Sequence, residues 1–187
     1  MNDYRIERFK EEVEKIGGRA WIAKDMEDAK SKVISVLRRE NTKKVILWES
    51  RLLKDMDLFH ILETEQIQSI LPSQIYKGDR KALFNELSEA DTGITECLYG
   101  ISENGSVVLE SRKGMERITS LIPPHHIAIL PSSRIVESIN EVFKDKRCVD
   151  SCMTFISGPS KTADIELTLI LGIHGPKSLD IIIAKEG

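Results

Sequence analysis

The sequence is poor in cysteine, and its three, Cys97, Cys148 and Cys152, are badly spaced for ligation. Cys148 and Cys152 are not the C-x-x-C pair of a ligand hairpin, so neither a cluster nor a structural zinc site can be built from these thiols alone. Each is read as a free thiol, and no metal is assigned. Of four histidines only His125 and His126 are adjacent, and neighbours on a strand point to opposite faces. Aromatic residues make up 5% of the chain, and no basic stripe interleaves with them, which argues against nucleic acid as a partner. Charge of one sign is lacking too: 27 basic and 30 acidic side chains give a net charge of -3. The longest apolar stretches, at residues 167–173 and 179–184, fall far short of the roughly 20 residues that span a bilayer. The N-terminus runs into a charged helical pattern without an apolar leader region. A cytoplasmic protein with no membrane contact is expected.

What is present supports one substantial core. With 187 residues and 41% hydrophobic side chains, a single domain over residues 1–187 is expected, its portion 1–40 mostly helical. Ile6, Phe9, Val13 and Ile16 recur at helical spacing before Gly17-Gly18. Residues 19–23 read as a short strand. Asp25 then offers an N-cap to a helix that places Ala29, Val33, Val36 and Leu37 on one face. Residues 43–48 are a buried strand, residues 51–71 mostly helical in one or two pieces closed by Pro72, and residues 79–88 a further helix. Alternating strand and helix predicts an α/β fold, a layered, mainly parallel sheet flanked by helices. Strands are expected at residues 106–110, 126–130, 153–157, 165–171 and 179–184, with one helix at 134–144.

The polar residues crowd two turns around one apolar strand. Ser157-Gly158-Pro159-Ser160-Lys161-Thr162-Ala163-Asp164-Ile165-Glu166 follows a strand, and His174-Gly175-Pro176 comes eight residues later. Gly158 permits close backbone approach, Ser160 and Thr162 supply hydroxyls and Lys161 a positive charge, which suits an anion; an ordinary capped turn would look the same. Asp164 and Glu166 would share one strand face, where two close carboxylates raise one pKa unless a cation intervenes. His174, in a loop, is a candidate for proton transfer, whereas His126 reads as a structural histidine. Because ligands of open α/β sheets sit beyond the carboxyl ends of strands, these turns are expected at that edge. Glu96, Tyr99 and Glu103 fall on one side of a helical pattern and Ile94, Leu98 and Ile101 on the other. That predicts a short helix ending near Asn104-Gly105, with Glu103 at a helix-to-strand corner. Ser102-Glu103-Asn104-Gly105 looks like the catalytic motif of coenzyme A transferases, in which the glutamate is the nucleophile. Arg117 is read in a turn-rich stretch, where its guanidinium can hold a carboxylate at two points.

Ala90-Asp91-Thr92-Gly93-Ile94-Thr95, Ile101-Ser102-Glu103-Asn104-Gly105, Arg117, Pro123-Pro124-His125-His126-Ile127, the Gly158 to Glu166 run and Gly172-Ile173-His174-Gly175-Pro176 resemble, in that order, the lactate utilization protein C family of LUD-domain proteins. The resemblance implies a fold of the sugar-phosphate isomerase and coenzyme A transferase type. It also implies work beside two iron–sulfur proteins that together oxidise L-lactate to pyruvate. This chain lacks the cysteine spacings for such clusters, so a non-redox role is implied for it. No cofactor follows from the residues, and self-association into a homo-oligomer is left open. The leading expectation is a cleft for a small anion, with Arg117, Gly158, Ser160, Lys161, Thr162 and Glu166 binding and Glu103, His174 and Asp164 in the chemistry. The alternatives are an acyl or coenzyme A transferase using Glu103, and a non-catalytic binding or scaffold module.

Overall fold

A computed structural model describes residues 2–75, 80–111, 115–145, 152–163, 169–172 and 174–185. The chain opens with α1 (Asn2–Lys15), β1 (Arg19–Ile22), α2 (Met26–Arg39) and β2 (Lys44–Leu47). Asp25 caps α2 as expected, its Oδ1 accepting the Asp28 amide at 2.8 Å. Then come α3 (Arg51–Asp55), α4 (Leu58–Thr64), β3 (Gln68–Ile70), α5 (Pro72–Ile75), α6 (Arg80–Ser88), β4 (Thr92–Glu96), β5 (Tyr99–Ile101) and β6 (Ser106–Ser111). The remainder is α7 (Met115–Leu121), β7 (His125–Pro131), a 3-10 turn at Ser132–Arg134, β8 (Ile135–Val136), α8 (Ile139–Lys144), β9 (Cys152–Ile156), β10 (Lys161–Ala163), β11 (Leu169–Leu171) and β12 (Ser178–Ala184).

Six strands form a sheet in the order β1-β12-β7-β4-β2-β3, with every pair parallel. A sheet with both faces covered must carry apolar side chains at consecutive positions, and β7 does so. Ile127 and Ile129 pack with Ala29, Val33, Val36 and Leu37 of α2 on one face. Ala128 and Leu130 pack with Ile6, Phe9 and Val13 of α1 on the other, together with Val107 and Leu109 of β6. A second sheet, β8-β5-β6-β9, and the ribbon of β10 with β11 lie outside the six-stranded sheet.

Three expectations change, and one lies beyond the described residues. The helix expected to end at Asn104-Gly105 is instead β4 and β5, because Ile94, Leu98 and Ile101 meet helical spacing by coincidence while Thr92, Ile94 and Thr95 take places in a buried sheet. Residues 51–71 include strand β3, and Pro72 starts α5 rather than closing a helix, since proline suits the first helical turn. Residues 134–144 divide into the end of the 3-10 turn, β8 and a shorter α8. The carboxylates Asp164 and Glu166 lie outside the described residues.

Candidate functional site

The strand-ending turn after β9 and the His174 turn do meet. Ser160 ties them: its N–H donates to the Pro176 carbonyl at 2.8 Å and its carbonyl accepts from Gly172 at 3.1 Å. Its hydroxyl accepts the His174 amide at 3.3 Å. Gly158 is required on two counts, a φ of +86° and a Cβ that would stand 2.7 Å from the Ile16 carbonyl oxygen. Lys161 reaches back to the end of α1, its Nζ donating to the Ile16 carbonyl at 3.0 Å, where a cation also meets the negative end of the helix. An ammonium has three donors, so two remain without an acceptor among the described residues. Ser157, Gly158, Ser160, Lys161 and His174 line a cleft of about 300 Å³, together with Ser120 and Leu121 of α7. The Ser157 hydroxyl is held by Ser106 at 2.7 Å, and the exposed His174 ring has no partner among the described residues.

This cleft is not at the edge expected. His174 to Pro176 precede β12 and Ser120-Leu121 precede β7, so the cleft lies at the amino ends of those parallel strands, with Lys177 bonded to Pro124 at 2.7 Å. The other expected residues are dispersed. Arg117 is exposed on α7, not in a turn, and does not line the cleft. Glu103 sits in the turn between β5 and β6, where its carboxylate accepts the Ile139 amide at 3.0 Å at the start of α8. It too is absent from the cleft wall. Thr162 lies in β10, across from Ile170 of β11.

Sequence reasoning missed a buried ionic cluster at the same amino edge. The Asp180 side chain has no exposure, and it accepts from His125 Nε2 at 2.8 Å, Trp21 Nε1 at 2.7 Å, Arg19 Nη2 at 2.7 Å and Arg39 Nη2 at 2.8 Å. His125 continues through Nδ1 to the Thr92 hydroxyl at 3.1 Å, which meets Thr42 at 3.0 Å. Burial alone would push the Asp180 carboxyl up, but these four donors outweigh it and hold it well below the usual carboxylate range. Glu40, His125 and Asp180 could together contact a cation, yet two guanidiniums already fill the Asp180 oxygens, so the cluster fits a structural role better. A lone carboxylate inside the apolar run of β12 was the available signal. On the opposite face His126 is buried, its Nε2 bonded to the Thr95 hydroxyl at 2.8 Å. Burial, with His125 nearby, lowers its pKa to about 3.

An all-parallel six-stranded sheet with helices on both faces and an accessory antiparallel sheet defines an α/β protein. The chain belongs to the LUD-domain family, whose model matches residues 6–184. Lactate utilization protein C of Halalkalibacterium halodurans is 34% identical over 159 residues, 81% of this chain and 67% of that one. The proteins of that name in Shouchella clausii and Bacillus subtilis (strain 168) are 33% identical over 150 residues and 38% over 117, covering 77% and 59% of this chain. The matches span 63% and 48% of those two relatives. The crystal structure of a DUF162 family protein from Deinococcus radiodurans superposes with a TM-score of 0.66 at 18% identity, covering 98% of each chain, and shows the shared fold. Among the described residues no helix is long and apolar enough to cross a membrane.

Proposed function

We propose that the chain is a non-redox component of a cytoplasmic lactate utilization system, acting beside iron–sulfur proteins that oxidise L-lactate to pyruvate, and that it binds a small carboxylate in the cleft between the Ser160 and His174 turns. The relatives' shared name supports the pathway. The observation that carries the site is the Ser160 tie. One residue uses its amide, carbonyl and hydroxyl to lock both turns, and it leaves the two spare Lys161 donors and the His174 ring along one cleft. A cation, a titratable ring and hydroxyls around a restricted volume suit a carboxylate better than an apolar ligand. His174 would move protons, and Lys161 would hold the charge.

The test is lactate-dependent dye reduction by the purified iron–sulfur partners with and without this chain, paired with an L-lactate titration read on the His174 ring by NMR. Activity that needs the chain and falls at least tenfold with His174→Ala, together with saturable movement of the ring, is the expected result. Full activity without the chain would overturn the pathway reading, and an unmoved His174 ring would overturn the site.

A further inference from the structure

The carboxyl edge of the six-stranded sheet holds a second, separate cleft. The strand order reverses between β2 and β4: the chain leaves β2 towards β3 on one side, and leaves β4 towards β7 on the other. Open parallel sheets form a crevice outside the strand ends at such a point. Trp48 directly follows β2, Glu96 ends β4 and Arg134 closes the turn after β7, and all three line a polar cleft of about 150 Å³. Trp48 is also a wall of an apolar cleft of about 420 Å³, lined by Leu53, Leu58, Phe59 and Leu71. Trp48 is thus common to both, a polar cleft and a mainly apolar one, each of a size for part of a small ligand.

The chemistry of the polar end is set by Arg134. Its Nη1 donates to Glu96 Oε1 at 2.7 Å and to the Cys97 carbonyl at 2.9 Å, which fixes the guanidinium. Nε and Nη2 have no acceptor among the described residues. A guanidinium held at one corner and open along its other edge is prepared for a two-point contact with a carboxylate. An amine would instead have to draw Glu96 away from Arg134. Glu110 also lines this end and has a partner of its own; a second carboxylate at the far end of the ligand would be carried into the mainly apolar cleft, where it is opposed. Beyond Trp48 the aliphatic and aromatic walls, Leu53, Leu58, Phe59 and Leu71, carry a polar rim that includes Glu49, Lys54 and Asp57.

We propose that this edge binds a monocarboxylate bearing an apolar chain, the carboxylate on the open edge of Arg134 and the chain along Trp48 into the Leu53, Leu58, Phe59 and Leu71 end. The site is distinct from the Ser160 and His174 cleft, which lies at the opposite edge of the same sheet.

The full chain labelled with 5-fluorotryptophan has two ¹⁹F signals, Trp21 and Trp48, and Trp21, bonded to Asp180, is an internal control for fold. Titration with butyrate, hexanoate and octanoate should move Trp48 saturably and leave Trp21 still. Affinity should rise about fourfold per added CH₂ until the apolar end is full. Arg134→Gln should weaken hexanoate at least tenfold with Trp21 unchanged. Phe59→Ser, at an exposed position that folding tolerates, should flatten the dependence on chain length, and hexylamine and adipate should bind at least tenfold more weakly than hexanoate. An unmoved Trp48, equal affinity for hexylamine, no dependence on chain length, or full affinity in a folded Arg134→Gln protein would each overturn the assignment. Because lactate binding is read on His174, either site can fail alone.

Discussion

Asp180 and His126, in neighbouring strands, both oppose acid, in different pH ranges. The His126 ring stays neutral down to about pH 3 in the native state, whereas an unfolded histidine takes its proton near 6.5. The unfolded chain thus binds more protons in that interval, and stability should fall by about 1.4 kcal/mol per pH unit as pH drops from about 6.5 towards 3. Urea unfolding of His126→Gln, which can still donate to Thr95, should show a flatter stability curve between pH 6.5 and 4.5; the wild-type slope in the variant would contradict this. The Asp180 contribution is complete above the unfolded carboxylate value of about 3.9 and declines below it, because its folded pKa is depressed. Asp180→Asn should cost about 3–5 kcal/mol at pH 7, since it strands two arginines beside a neutral group, and should lack the wild-type loss below pH 4. Little of this cluster was legible beforehand. Asp180 lies 161 residues from Arg19 and 55 from His125, and only the parallel register, which sets Arg19 beside Asp180 and Ser178 beside His125, brings them together.

At the scale of elements, helices with one apolar stripe were read correctly, as in α1 and α2, because their buried faces recur at 3.6 residues. β4 and β5 were not, since strands buried on both faces lose the alternation that marks a strand, and a short apolar run then satisfies helical spacing by chance. Gly93 records the actual arrangement. A Cβ there would fall 1.9 Å from the Thr119 carbonyl oxygen, so α7 lies directly on β4. Gly93→Ala must push α7 outward, with an expected loss of about 1–3 kcal/mol. Because α7 carries Ser120 and Leu121 into the cleft, the same substitution should weaken lactate binding, seen as a reduced His174 shift on titration. Unchanged stability would show that α7 is not seated on that strand.

For the molecule as a whole, the Gly158 to Lys161 turn and the His174 loop meet through Ser160, but at the amino edge of the sheet and not the carboxyl edge expected. Each turn follows one strand and precedes another, and the sequence does not say that β9, β10 and β11 lie outside the six-stranded sheet while β12 lies in it, which is what leaves these turns at its amino ends. Glu103 was selected on a four-residue motif, and its carboxylate is occupied as a cap for Ile139. Glu103→Gln retains a carbonyl oxygen for that amide, so stability should change by less than about 0.5 kcal/mol. Intact mass after incubation with acyl-coenzyme A should show no adduct on the wild type, and an adduct absent from the variant would restore the transferase reading.

α1 is clasped at both ends. Arg5, in its first turn, pairs with Glu137 just past β8 at 3.7 Å, and Lys161 holds the Ile16 carbonyl at its finish. The cleft wall and the first helix should therefore open as one cooperative unit. In native hydrogen exchange the amides of residues 9–15 and the Ser160 amide should share one opening rate, and Lys161→Met should separate them, Ser160 exchanging faster while the helix is unaltered. Fraying of the amino-terminal segment then becomes a timer for ligand residence: the bound molecule leaves no more slowly than the first helix lets go.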